Sequence, residues 1–567
     1  MAKVVCPGDS ERGWALLITI LVMLVVSTIG SALLVGGMTD LTVSDSFRSQ
    51  TVAFHSADYG IQQSHSDFAT NPADFTSLID LSTGFMQVQN PFPSTVVVGG
   101  HTVQVAVDNQ GQVVPGYYGF GPSVNTGSGR YSRTLLFPAR FSPGFHGGVI
   151  GELAFTLRST GTFGATEPAT QIIRSDLIVT VRPISEVWDN AIFAGGGMMG
   201  GGLAVQGNAQ VRGSLYINGD PNHHARLRWT GTAFIWNHYR DIDSNQNFDT
   251  YAWKVPDPPT TTFNGQKVDT LGSVIRAKHA DLQLLGNVEW GEGDDDTNPV
   301  KDTLDGFYLD GSINDPNDVH ADDTGFQADA IDFPSLYDPY VHTDGTPFPT
   351  YKQYLEMSSL LIPETHIGDL TPSFQYGARG SNYIRWDRTT GEMEIEGIVR
   401  VVGDLEFGFR EDDAINPQDT YISYTGTGTI FADGDLTLIG DVMPQGHYLL
   451  ERDLNNNLVA SNQNLGLISS QAINVPVNWT NPVTGELISL AHLKVMAALF
   501  GEDSITLQKQ DRFAGAFVTK NIDLGNQVPR VFQVPWLSGM LPPGLPGSGD
   551  LTLQVESVEL SGWFRER

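Results

Sequence analysis

Five oxygen-bearing side chains alternate through residues 241–249, DIDSNQNFD: Asp241, Asp243, Asn245, Asn247 and Asp249. Calcium takes six to eight hard oxygens at ~2.3–2.6 Å, and a tight loop with a ligand at every second position supplies them. The spacing is that of the first nine positions of a twelve-residue calcium loop. Gln246 stands where a glycine would turn such a chain, and Ala252 stands where a bidentate carboxylate would close the site. Calcium is the one cofactor expected, with an oxygen from elsewhere completing the shell. The alternative is a solvated acidic turn.

A second acidic tract spans residues 291–325 and holds Asp294, Asp295, Asp296, Asp315, Asp318, Asp322 and Asp323. Crowded carboxylates repel unless a cation or water screens them. The tract reads as a solvated excursion, or as a loop that calcium orders. A glycosidase would need two carboxylates set across a cleft. Among so many acids any pair could be nominated, so none is. His223 and His224 read as loop residues. Asn125 breaks the Gly-x-Ser-x-Gly pattern in GPSVNTGSG. The glycine run 195–202 has no Gly-Lys-Ser/Thr after it and no helix to hold a phosphate. No catalytic set emerges.

The whole chain fits these local signs. It has 567 residues, 32 Lys plus Arg against 64 Asp plus Glu, and a formal net charge of -32. Such a surface repels nucleic acid, so no nucleic-acid partner is expected. The 62 glycines and 31 prolines, with 40% hydrophobic residues, describe a turn-rich β protein of two or three domains. The only cysteine, Cys6, leaves no disulfide within the chain and no thiol chemistry in the folded body.

From Trp14 to Thr39 there is no charged residue. As a helix this stretch rises ~39 Å, enough to cross a hydrocarbon core of ~30 Å. Arg12 beside it favours an inside amino terminus. Phe47, Phe54, Ile61 and Phe68 then recur every seven residues, with Ala53 and Ala57 between them. The helix is therefore expected to leave the membrane and run on, its outer half packing against a folded domain.

A short leader ending in Arg12-Gly13, an aliphatic run from Trp14, and the later segment AFHSADYGIQ (53–62) together resemble the PilX family of type IV pilus minor pilins. The resemblance covers residues 10–66. It implies cleavage by a prepilin peptidase between Gly13 and Trp14. It also implies a filament-packing helix that carries Ile18, Phe47, Phe54 and Ile61. Ile18 stands where major pilins carry Glu, which points to a subunit that makes no demand on a neighbour for a charge partner in the membrane.

The expected organisation is a leader (1–13), a membrane-spanning and amphipathic helix (14–69), a pilin-like antiparallel sheet (70–187), a Gly-rich linker (188–204) and a β-rich body (205–567). The class is thus α+β followed by all-β. Gly99-Gly100 marks a hairpin within the sheet. In the body a short phrase recurs around Leu405, Leu436, Ile473, Ile505 and Ile522, at intervals of 31, 37, 32 and 17 residues. Segments 205–220 and 282–294 carry it too. A strand phrase that returns while loop lengths drift suits a right-handed parallel β-helix; a Greek-key sandwich is the alternative. The carboxyl-terminal segment DLTLQVESVEL is expected to cap the last coil.

The function these readings imply is structural. The chain would be a minor pilin or pseudopilin that initiates a type IV pilus-like filament or sits at its tip, presenting the body for adhesion or binding. Its partners would be other minor and major pilins, the prepilin peptidase, the inner membrane, and a tip adhesin or surface ligand. It would lie in a bacterial inner membrane with a periplasmic body before assembly, and on the pilus or cell surface afterwards. The alternatives are a membrane-tethered β-helix enzyme acting on polysaccharide and an unprocessed periplasmic scaffold.

Overall fold

The computed structural model describes residues 9–80, 87–143, 151–164, 168–195, 203–240, 254–263, 265–292, 300–322, 331–342, 345–408, 421–452, 458–490, 492–547 and 552–566. A long N-terminal helix is followed by a strand-rich body. The helix, α1 (Asp9–Thr70), is continuous. Ala53, Ala57, Ile61, Ser64 and Phe68 fall on one stripe of it and are all buried. They face an antiparallel sheet ordered Thr552–Glu566, Ala169–Ile184, Gly151–Phe163, Arg130–Pro143, Gly116–Gly119, with Val124–Asn125 also on Arg130–Pro143. Beside it Thr95–Val98 pairs with His101–Gln104. Gly99 and Gly100 both have positive φ, which a two-residue hairpin turn of this hand requires.

Two expected boundaries move. The carboxyl-terminal strand does not cap a coil: Thr552–Glu566 is the edge strand of the antiparallel sheet, with Thr552 opposite Ile184. Leu553, Val555, Val558 and Leu560 pack against the helix–sheet core, so the segment buries one face there. The stretch 188–204 is not simply a linker either. Trp188 and Ile192–Ala194 are buried in the body, and Ile192–Gly195 is a strand within it. The parallel body is thus inserted between two neighbouring strands of the antiparallel sheet.

The body's strands stack in parallel, rung on rung, ~4.8 Å apart. One column of Cα partners runs Leu360, Val399, Ile430, Leu467, Leu499, Phe517, Ile192, Leu215, Ile275, Phe307. A second runs Leu405, Leu436, Ile473, Ile505, Ile522, Val205, Leu227, Leu282, Ile313. The five irregularly spaced anchors are therefore direct neighbours, and Val205 and Leu282 continue their row. A third runs Ile422, Val442, Val495, Phe513, Val531, Val211, Ile235, Trp290. Long strands turn from one column into the next, so Ile192–Gly195, Arg512–Asp523, Arg530–Gln533, Leu203–Arg212, Ala225–Trp236, Val274–Leu284 and Leu215–Asn218 close a circuit of seven parallel strands. Parallel neighbours are not what a Greek key makes. Among the described residues, antiparallel pairs in the body belong to local hairpins such as Asn478–Thr480 with Leu487–Ser489.

Spatial order is not chain order. The chain enters mid-stack at Ile192, climbs to Gly306–Ile313, crosses to the far end at Leu360–Ile362, and climbs again until Arg512–Asp523 pairs beneath Ile192–Gly195. Residues 331–342 and 345–358 lie along the outside of the first column on this crossing. Ile331 N–H donates to the Tyr216 hydroxyl, Phe333 stacks on Phe500, and Glu356 meets Arg400 at 3.3 Å. The short helix α2 (Tyr351–Ser358) buries Tyr351 and Leu355. This strap explains why strands such as IFAG (192–195) are buried on both faces and read as unbroken apolar runs.

Glu502 fastens the strap. It is fully buried and accepts from Ser335 Oγ (2.6 Å) and Leu336 N (2.8 Å), with Lys520 Nζ at 2.6 Å. Removing it strands the Lys520 ammonium and the Leu336 N–H. Glu502→Ala is expected to cost about 3 kcal/mol in denaturant unfolding, and adding Lys520→Met should recover part of the loss. Equal stability of Glu502→Ala and wild type would remove Glu502 from this role.

Asp511 sits in the turn between Lys494–Leu507 and Arg512–Asp523, fully buried, with Oδ1 accepting from Leu493 N at 3.0 Å. Burial pushes its carboxyl up to about 7; repulsion from Asp441 adds to this, against the Leu493 hydrogen bond. A folded pKa above the unfolded value gives stability that is complete below ~4 and lost as pH rises through about 7. Wild-type protein should therefore lose melting temperature between pH 5 and 8, and Asp511→Asn should lose less. Parallel melting curves of the two proteins over that range would discard the assignment.

Candidate functional site

The first candidate surface is α1 itself. Trp14 is 67% exposed and Phe47 67%, and Ile18 is exposed between them. This part of the helix is long and apolar enough to cross a membrane. Its threonine hydroxyls are satisfied within it: Thr19 Oγ1 donates to Ala15 O, Thr28 Oγ1 to Leu24 O, and Thr39 Oγ1 to Val35 O. A lipid setting demands such internal pairing. The Gly13–Trp14 junction lies within the helix.

The expected filament-packing set divides. Ile18 and Phe47 are free of the fold. Ile61 is buried in the chain's own helix–sheet core, and Phe54 is half-buried against it. The seven-residue repeat therefore changes partner along its length: its lower part packs on the sheet, so Ile61 is not available to a neighbouring subunit.

The docking is close. A Cβ at Gly161 would lie 1.9 Å from Ala53 O and 2.5 Å from Ala57 N, and one at Gly60 would lie 2.2 Å from Ser159 Oγ. At Gly161 only glycine lets helix backbone and sheet backbone meet, and at Gly60 it leaves room for the side chains of Ser159 and Tyr131. Lower down, Arg133 pairs with Asp67, and His101 Nε2 lies 3.0 Å from the same carboxylate. Burial raises the Asp67 pKa, but hydrogen bonds from Arg133, Gln63 and His101 outweigh it and hold the carboxyl below its ordinary value.

The second candidate lies where both acidic loops leave the body. The loop ligands Asp241, Asp243, Asn245, Asn247 and Asp249, and Asp294–Asp296 and Asp323, lie outside the described residues. Of the described acids in that tract, Asp315 caps the turn 316–318, and Asp322 pairs with Lys301 at 2.6 Å. At the loop roots His238, Glu292 and Asp302 bring ligand atoms within 4.8 Å of one another. Sequence reading missed this trio because its members come from separate segments with no shared motif.

The trio does not fit a metal. His238 Nδ1 accepts from Arg240 N at 3.1 Å and lies 3.3 Å from Arg212 Nη1, so it holds the lone pair. Nε2 then carries the hydrogen, aimed at Asp302 Oδ1 (3.5 Å) and Glu292 Oε1 (3.6 Å). Burial, with the charges of Arg212 and Arg240, pulls the imidazole down to about 3, so it stays neutral. Arg240 Nη2 meets Glu292 Oε2 at 2.5 Å. Arg240 thus already pairs with Glu292 and lies 3.5 Å from Asp302, and the hydrogen on Nε2 leaves that nitrogen no lone pair to offer a cation.

No protein-family model matches the chain, and no curated protein matches it. Among solved structures the chain is similar to the competence-associated pilin ComZ from Thermus thermophilus. The identity is 16% and the TM-score 0.46, over 91% of this chain and 98% of that one.

The helix–sheet contact makes a direct prediction. Gly161→Val should detach the second half of α1, seen as protease cleavage near residues 50–70 that wild type resists, while the parallel body stays resistant. Unchanged proteolysis would mean that the close approach does not hold the helix.

Proposed function

We propose that the chain is a structural subunit of a type IV pilus-like filament, a minor pilin or pseudopilin whose sheet carries a large inserted body. The body is read as a parallel β-helix, because its three columns recur in the same order in each coil.

One observation carries this reading: apolar surface on α1 that a bilayer does not cover. Trp14 to Met38 already rises ~37 Å, more than a hydrocarbon core of ~30 Å. Beyond the first charge, Asp40, the helix still exposes Leu41, Val43 and Phe47. A plain anchor has no use for such residues in water. A helix that leaves the membrane to pack among other helices buries them. On this reading residues 14–38 hold the subunit in the inner membrane, and the same face later packs against neighbouring pilins.

The inserted body supports placement at the start or tip. It departs from the sheet through two adjacent connections, anchored where Arg182 Nη1 donates to Pro535 O and Trp188 Nε1 to Pro546 O. Bulk so placed meets no neighbour at an end and meets many along a shaft. The leader would be removed between Gly13 and Trp14.

Mass spectrometry of the mature amino terminus, from membranes and from sheared filaments, tests the proposal. A start at Trp14 in both fractions is expected, with antibody label at filament ends. An intact leader would overturn the filament reading. Label spread evenly along filaments would overturn the tip placement alone.

A further inference from the structure

A groove of about 700 Å³ crosses the body where its last coils meet its first. Its floor is the backbone around Gly207 and Gly525, where Asn208 N donates to Gly525 O at 2.9 Å and Leu524 N to Gln206 O at 2.9 Å. Gln206 and Arg228 line one side, and Gln508, Lys509, Asp523 and Gln527 the other. Gln206 is the rung partner of both Asp523 and Arg228, so polar groups succeed each other ~4.8 Å apart across the seam.

We infer that this groove binds an extended polysaccharide bearing carboxylates, a polyuronate. The volume lies within the range of ligand clefts. The side chains of Gln206, Arg228, Gln508 and Gln527 make no hydrogen bond or ion pair among the described residues, so their donors are open to a ligand. Asp523 is turned to its own loop, accepting from Gly525 N at 2.9 Å. Two cations line the groove on a chain whose net charge is -32: Arg228, which is exposed, and Lys509, which is half-buried and also acts on the Asp511 carboxyl. Amides at regular spacing suit ring hydroxyls, and the planar Arg228 fork suits a carboxylate. Among the described residues the lining has no aromatic ring on which a base would stack, which disfavours single-stranded nucleic acid.

The inference rests on the body being a presented passenger, but its test does not. Full-length protein in detergent micelles is titrated by calorimetry with oligogalacturonate, a cello-oligosaccharide of equal length, and a single-stranded oligonucleotide. Oligogalacturonate is expected to bind, and Arg228→Ala to weaken it about tenfold, the loss of one charge-assisted hydrogen bond. Gln206→Ala should weaken it less, and Arg388→Ala, at an exposed remote turn, not at all. Arg228 is exposed and has no partner to lose among the described residues, so its variant keeps the fold. Absence of oligogalacturonate binding, equal affinity in Arg228→Ala, or tighter binding of the cello-oligosaccharide or oligonucleotide would overturn the proposal. None of these results depends on cleavage at Trp14, so failure of the groove and failure of the filament reading stay separate.

Discussion

The pairing of Arg512–Asp523 beneath Ile192–Gly195 and Leu203–Arg212 is the contact on which the rest of the body depends. Without it the body would be two short stacks, each with an open sheet edge at the middle. With it, the end of the chain's second climb supports the start of its first, and the three columns run unbroken. The same contact brings the outgoing and returning segments together, so that Thr552 can pair with Ile184. An insertion closed in this way loads the antiparallel sheet at one place and leaves the helix-bearing side of that sheet undisturbed.

Such a closure has a topological consequence. To begin mid-stack and finish mid-stack, the chain must travel once from one end to the other outside the coils. Residues 331–342 and 345–358 lie on that passage, and the surface they cross answers with Phe193, Phe431, Ile468, Phe500 and Val518, all buried. The strap is both connection and cover. Its buried polar tie, Glu502, fixes one register of the strap against a smooth apolar wall, where hydrophobic contact alone is non-directional.

Local pattern made some of this legible in the sequence. The stripe on α1, the Gly99-Gly100 hairpin and the recurring strand phrase are short-range signals, and the anchors Leu405 to Ile522 stand in one column because each short strand needs one inward aliphatic residue. What escaped were pairings between segments far apart in the chain. Nothing near Thr552 says that its partner is Ile184. Nothing near Ile192 says that Phe517 lies beneath it. The stretch from 188 looked like a linker because glycine marks loops as readily as a close backbone approach such as that of Gly195, at positive φ, to Asn218. The His238, Glu292 and Asp302 cluster escaped because its members come from separate segments, and the tautomer that Arg240 imposes on His238 is not encoded in spacing.

The division of labour along α1 follows from the width of the sheet. The sheet covers the helix from about Ala53 onward, where Gly161 and Gly60 allow close contact, and it ends there. A bilayer of ordinary thickness would cover a helix of this kind up to about Met38. Between these limits lie the fourteen residues 39–52, which neither would cover, among them Leu41, Val43 and Phe47, interspersed with Asp40, Asp45 and Arg48. A segment so mixed is soluble enough to cross water for a few turns and apolar enough to gain from packing. On the proposed filament reading it is the part of the helix whose state would change most between a subunit in a membrane and one held among other helices, and it lies far along the chain from the inserted body. The body could then vary in size without altering the helix surface which that reading assigns to assembly.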